Sequence, residues 1–258
     1  MDNSTARFVR KWRKVSQRKA RPAVIAFRKL QKHPQPDKAI VQLQEYLRKW
    51  PKDALAHYSL GILLLNVRQD PKNAIKEISM ALAEKPTDGF FHVDLALALL
   101  ALRTERGNKD ALRTALRATE LEPHSGEPWC ALGAAYGQSQ KVYESIRAFK
   151  KSLFYDSDQP GVHRNLGLLF RRLSQKRDAA EHYRQSLVLD PYNRQAYINY
   201  TNVLISLRKT GEAGRVLEEM TKFFVGKQKK LPVLLPRVQL VQQRMKDAEE
   251  MFKTRKKR

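Results

Sequence analysis

Trp129-Cys130-Ala131-Leu132-Gly133-Ala134-Ala135-Tyr136 is answered 34 residues later by His163-Arg164-Asn165-Leu166-Gly167-Leu168-Leu169-Phe170. A large ring, a Leu-Gly pair and a second ring return at the same offsets, and a period of that length marks an array of stacked units. Between the two stretches a second set keeps the same period: Ser145, Phe149 and Ser152 are matched by Ala179, Tyr183 and Ser186, with Pro191 closing the unit. Within each half the key positions step by three, four or seven residues, so each half reads as one helix and the unit as a helix pair.

The pattern extends in both directions. Residues 54–88 carry Leu60-Gly61, Leu64, Ala74, Ile78, Ala81 and Pro86, with one inserted residue; residues 89–125 carry Leu95-Ala96, Leu99, Ala111, Ala115, Ala118 and Pro123, with three. The insertions fall at Gln69-Asp70-Pro71 and Arg106-Gly107-Asn108, turn-forming residues, so both are expected in the loop between the helices of a pair. Weaker copies flank the run: Ala39, Leu43, Tyr46 and Pro51 on one side, and Tyr197, Leu204, Ala213, Leu217 and Met220 on the other.

On these residues the chain resembles the tetratricopeptide repeat family, over roughly residues 20–227. The resemblance implies an all-α fold: a right-handed α-solenoid, or superhelix, of about six helix–turn–helix repeats at 20–53, 54–88, 89–125, 126–159, 160–193 and 194–227. The physical sense does not depend on the name. Small residues such as Gly133 and Ala179 let helices approach, large ones such as Tyr136 and Phe149 fill the space between, and proline ends the unit. A single helix pair cannot bury its apolar face, so several must stack.

Six histidines and one cysteine leave little material for a metal centre or a disulfide framework, and a lone cysteine weakly favours a reducing compartment. No run of 18 to 20 apolar residues and no secretory signal is evident. The cytoplasm is the expected compartment, with the mitochondrial matrix, the nucleus and the cytoplasmic face of a membrane as alternatives.

The net charge of +24 is unevenly placed. Residues 1–36 contribute +10 and residues 207–258 contribute +9, leaving +5 for the 170 residues between. Anionic partners are expected for the flanks: RNA or a ribonucleoprotein, a phosphate-rich lipid surface, or an acidic protein. Residues 1–19 read as a basic amphipathic helix. Phe8, Val9, Trp12 and Val15 share one side, with Arg7, Arg10, Lys11, Arg13, Lys14, Arg18 and Lys19 among the cations of the segment. This segment suits an anionic membrane, an RNA backbone, or simple capping of the first repeat. Its Arg-rich composition also fits a mitochondrial presequence, although Asp2 and the lack of a clear cleavage signal count against that. Residues 228–252 are expected to form a C-terminal capping helix. After it comes a basic tail, 253–258, in which Arg255, Lys256, Lys257 and Arg258 would serve as phosphate contacts, an import signal or a solvated end.

Nothing in the sequence points to an enzyme. Neither GxGxxG nor GxxxxGK[ST] occurs, and His57, His92 and His163 occupy the place of Trp129 in their repeats, which makes them packing residues about one period apart. Carboxylates are expected to pair with nearby cations, as Glu144 with Arg147. Asn199-Tyr200-Thr201 matches a glycosylation acceptor only in its letters. No metal, cofactor or small-molecule substrate is expected.

Function is therefore sought on surfaces. The family resemblance assigns the concave groove to the first helix of each unit, which here presents Tyr58, Ile62, Leu65, Phe90, Val93, Leu97 and Ala134, then Arg164, Asn165, Leu168, Arg171, Arg172, Asn199 and Asn202. Such a groove is apolar towards the N-terminus and basic and polar further on. Asn165 and Asn199, one period apart, resemble the asparagine ladders that grip an extended peptide backbone, or else form a solvated helix face. Arg164, Arg171 and Arg172 favour a carboxylate or phosphate. The two-carboxylate clamp of the chaperone-docking subclass is not matched: at its five places stand Cys130, Ala134, Asn165, Gln195 and Asn199, and only Asn165 fits. The expectation is a scaffold that holds a partly apolar, partly acidic protein segment while its basic flanks dock an anionic surface. The alternatives are an RNA- or ribosome-associated component and a peripheral membrane assembly factor.

Overall fold

The computed structural model describes residues 36–225, together with Gln243. The basic segment 1–19, nearly all of the expected capping helix and the tail 253–258 lie outside the described residues. Among the described residues there are eleven helices and no strand. They are α1 (Pro36–Lys49), α2 (Ala54–Asn66), α3 (Pro71–Glu84), α4 (Gly89–Ala101), α5 (Glu105–Leu121), α6 (Gly126–Gln138), α7 (Val142–Tyr155), α8 (Pro160–Arg172), α9 (Lys176–Leu189), α10 (Arg194–Ser206) and α11 (Thr210–Val225). The chain divides into two compact units of the α-solenoid type, the first ending at Lys141 and the second beginning at Val142.

Local chemistry explains the regularity. The first helices of the repeats, α2, α4, α6, α8 and α10, are each 13 residues long. Asp53 caps α2 by accepting from the amides of Leu55 and Ala56, and Asp88 caps α4 by accepting from those of Phe90 and Phe91. After each first helix one residue takes a left-handed backbone: Gln69, Arg103, Gln140, Ser174 and Arg208, with φ between 54° and 62°. None is a glycine, so each turn accepts a cost of about 1 kcal/mol to redirect the chain.

The three-residue insertion is not in a loop. Arg106-Gly107-Asn108 lie inside α5, which is 17 residues long where its counterparts α3, α7 and α9 are 14. Thr104 accepts from the Gly107 amide at 3.1 Å and starts the helix early. Three residues make nearly a full turn, so the helix absorbs them and keeps its apolar face. The single insertion before Pro71 does fall in the loop.

In the first unit, α2 has no Asp, Glu, Lys or Arg and is buried on nearly every side, from Ala56 to Leu64 without a break, with His57 Nδ1 2.6 Å from the Glu77 carboxylate. Gly61 is what lets α3 approach: a Cβ there would stand 2.6 Å from Ile78 Cγ1 and 3.1 Å from the Ala74 carbonyl oxygen. The positions equivalent to Trp129 do more than pack. The Trp129 ring N–H donates to the Pro123 carbonyl at 3.0 Å, and Nε2 of His92 and of His57 meet the carbonyls of Pro86 and Pro51 at 2.9 Å. In each case the acceptor is six residues earlier, at the proline that closes the preceding repeat. Trp and His interchange there because both offer a ring N–H.

In the second unit, Gly167 of α8 lies over Tyr183 of α9, where a Cβ would meet the ring at 2.8 Å. Between α7 and α8 the buried Gln159 amide donates to the Ser152 carbonyl at 3.2 Å, to Ser152 Oγ at 2.9 Å and to the Asp156 carbonyl at 2.8 Å. Ser186 Oγ donates to the Pro160 carbonyl at 2.9 Å. These bonds explain why buried serines recur at Ser152 and Ser186.

Candidate binding faces of the two units

In the first unit the structure corrects three of the groove residues. Tyr58 and Ile62 are 5 % and 4 % exposed and belong to the hydrophobic core. The Tyr58 hydroxyl donates to the Asp94 carboxylate, and its ring stacks on Phe91 with centroids 4.3 Å apart. Burial, then the negative charges of Asp94, Glu127 and Asp88, push the Tyr58 phenol well above its usual pKa, so it stays a donor. Val93 is buried as well, whereas Leu65, Phe90, Leu97 and Ala134 are half-buried, Leu65 packing against the core of the unit. Asp94 was missed by the sequence reading. Its signal was present, since it stands at the same place in its helix as Asn165 and Asn199 in theirs.

In the second unit, α8 places Arg164, Asn165 and Leu168 half-buried and Arg171 and Arg172 exposed. Arg164 and Arg171 are two turns apart, and both lie close enough to the Tyr183 hydroxyl to lower its pKa, against a burial that raises it to about 12. That hydroxyl is buried and has no hydrogen-bond partner among the described residues. Arg164 and Arg171 form no ion pair within 4.0 Å among the described residues.

The asparagine pair is uneven. Asn165 is half-buried, but Asn199 is 6 % exposed and its Oδ1 accepts from Gln195 Nε2 at 3.2 Å. The turn of α10 thus spends one end of the Asn199 amide on a neighbour four residues away. Asn199 is therefore not on a solvated helix face; Asn202, one turn on, is half-buried.

Behind this face His163 and His182 meet, Nδ1 to Nδ1, at 3.0 Å, and the His182 ring stacks on Phe170 with the planes 2° apart. Burial holds both imidazoles below the usual value, and for His182 the neighbouring His163 adds to it. Glu181 is held at about 2 by hydrogen bonds from Arg184 and Gln185. The expected Glu144–Arg147 pair is not formed, although the same kind of pair occurs at Lys109–Glu105, 2.7 Å, and Arg184–Glu181, 2.7 Å. Among the described residues no group of three His, Cys, Asp or Glu could hold a metal, and no helix is long and apolar enough to cross a membrane.

Residues 26–89 and 130–194, together half of the chain, match the tetratricopeptide repeat. The chain belongs to the tetratricopeptide repeat family. No curated protein matches the sequence. Among solved tetratricopeptide repeat structures it is similar to PilF of Pseudomonas aeruginosa, at 20% identity over 80% of this chain and 91% of that one, with a TM-score of 0.64. It is also similar to a chain of the APC/C hetero-tetramer Cut9–Hcn1, at 13% identity over 88% and 42%, TM-score 0.71. A human IFIT1 dimer with m7Gppp-AAAA gives 16% identity over 72% and 45%, TM-score 0.61. At these identities the likeness concerns the fold. Tetratricopeptide repeat proteins are in general protein-binding scaffolds without catalytic activity.

Proposed function

We propose that this tetratricopeptide repeat protein is a non-catalytic scaffold whose second unit docks an acidic segment of a protein partner along α8. The carrying observation is the placement of Arg164 and Arg171 two turns apart, one half-buried and one exposed, without an ion-pair partner among the described residues. Arginine pairs carboxylates in bidentate geometry, and a half-buried guanidinium is less screened than a fully solvated one. Leu168 lies between the two and gives an apolar contact for the same segment. Phe90, Leu97 and Leu65 in the first unit offer a separate apolar face for a hydrophobic segment. The basic segments 1–19 and 253–258 are proposed to hold the assembly to an anionic surface, with the cytoplasm as the compartment. A chain of this fold in a hetero-tetramer, Cut9–Hcn1, is in keeping with the scaffold reading.

The test is binding of fluorescent peptides containing Glu-rich and length-matched Gln-rich segments to the full chain. Arg164→Ala with Arg171→Ala should weaken the acidic peptide roughly tenfold or more, since a charged hydrogen bond is worth about 1.5–3 kcal/mol. Equal binding of both peptides, or an unchanged affinity in the double variant, would remove the basis for the reading.

A further inference from the structure

A second surface lies on α7, on the side away from its packing residues. The buried positions of α7 are Ser145, Ile146, Ala148, Phe149 and Ser152. Opposite them Tyr143 and Phe154 are 70% and 81% exposed, and Arg147, Lys150 and Lys151 are exposed between them. At 100° per residue these five side chains fall within about 100° of arc, and Tyr143 and Phe154 stand about 16 Å apart along the axis. Both rings face solvent, and the three cations lie between them along one side of the helix.

One period later, α9 carries cations at some of the same places; the Lys150 ammonium of α7 is 5.9 Å from the centroid of Phe170 of α8, the ring on which His182 of α9 stacks. Arg177, Arg184 and Val188 occupy on α9 the places of Tyr143, Lys150 and Phe154 on α7, and Val188 is 63% exposed. Glu181, in the place of Arg147, is occupied by Arg184 at 2.7 Å.

The geometry points to single-stranded nucleic acid as the partner of this outer face, its bases stacking on Tyr143 and Phe154 and its phosphates paired by Arg147, Lys150 and Lys151. Charge complementarity selects an anion, and the order of the residues selects which kind. An anionic membrane requires rings on one side and cations flanking them. Here the cations lie on the same line as the rings and between them, so inserting both rings would carry Arg147 and Lys150 into hydrocarbon. An acidic protein would pair with the cations but gives the two rings nothing flat to stack on. A single strand presents phosphates and unpaired bases along one line, which matches a ring–cation–cation–ring order.

The basic flanks also attract polyanions, so the test removes the rings and leaves the charge unchanged. Binding of a fluorescein-labelled 12-nucleotide oligouridine to the full chain is measured by anisotropy over a range of salt, with an oligothymidine of equal length as a second probe. Tyr143→Ala with Phe154→Ala should reduce affinity about tenfold or more, because stacking is sequence-tolerant and lost with the ring. Phe154→Trp with Tyr143→Trp should restore it. Arg147→Gln, Lys150→Gln and Lys151→Gln together should lower the slope of log affinity against log salt by about 2. Circular dichroism checks that the variants, all of exposed residues, are folded. An unchanged affinity in the ring variant would overturn the proposal and leave the flanks as the sole electrostatic site. So would loss of binding to phosphatidylserine vesicles, or to a Glu-rich peptide, with oligouridine binding kept.

Discussion

Removing an atom from the core of the second unit should make the protein more stable. Tyr183 is fully buried under Gly167, and its hydroxyl has no hydrogen-bond partner among the described residues. A buried donor left unsatisfied costs about 1–3 kcal/mol. Burial raises the phenol to about 12 despite Arg171 and Arg164, so it is neutral at pH 7 and gains nothing by ionising. Tyr183→Phe keeps the ring and deletes the orphan. The oxygen also makes a few dispersion contacts, which together contribute about 0.5–1 kcal/mol and are lost with it. The balance is a net stabilisation of about 1 kcal/mol, or a rise of about 0.5 M in the urea midpoint for a slope near 2 kcal/mol/M. The assay is urea unfolding followed by far-ultraviolet circular dichroism, because Trp12, Trp50 and Trp129 all lie outside residues 142–225 and tryptophan emission does not report on this unit directly. A fall in stability of 1 kcal/mol or more would refute the reasoning. It would mean that the hydroxyl makes a bond worth more than its desolvation.

Two further outcomes follow from the same physical arguments. His163 and His182 share one proton position at 3.0 Å, and both are held below their usual pKa, chiefly by burial; Lys150 and His163 oppose charging of His182, while Glu181 and Asp178 favour it. The unfolded chain therefore binds more protons than the folded one below about pH 6.5, so stability should be full above that pH and decline as pH falls through it. His182→Phe, which retains a ring against Phe170, should flatten the decline in urea midpoints measured between pH 7.5 and 5.5; an equally steep profile would count against the pair. His92→Phe should cost about 0.5–1 kcal/mol in thermal or urea unfolding through loss of the bond to the Pro86 carbonyl, whereas His92→Trp should keep it, as Trp129 keeps its own. Equal stabilities for the two variants would show that the position needs only a ring.

Much of the fold was legible because the determinants of a repeat unit are local. Leu-Gly pairs, aromatic rings at fixed offsets and closing prolines set where helices meet, and Gly61 against Ile78 or Gly167 against Tyr183 shows the close approach they imply. The three-residue insertion was misplaced because Gly107 and Asn108 are poor helix formers, and their propensity was outweighed by the Thr104 cap and the near-integral turn. The binding faces were less legible. Position in the helix identified which side each residue takes, but not whether a neighbour four residues away consumes it, as Gln195 does Asn199, or whether a carboxylate on the next repeat holds it, as Asp94 does Tyr58. The outer stripe of α7 escaped notice because exposed aromatics look like packing residues until the packing face is known. Tyr143 and Phe154 share the helix with Phe149, which is 1% exposed.

The ring N–H bonds to the closing prolines bear on how the chain assembles. Each joins residues only six apart, across the turn from one repeat to the next, as between Pro123 and Trp129. The loop they close is short, so the chain entropy lost in forming the joint is small and no distant segment need arrive first. The bonds at Pro51, Pro86 and Pro123 can therefore form within the first turn of the new helix. A chain emerging in order can fix each joint before the next helix exists.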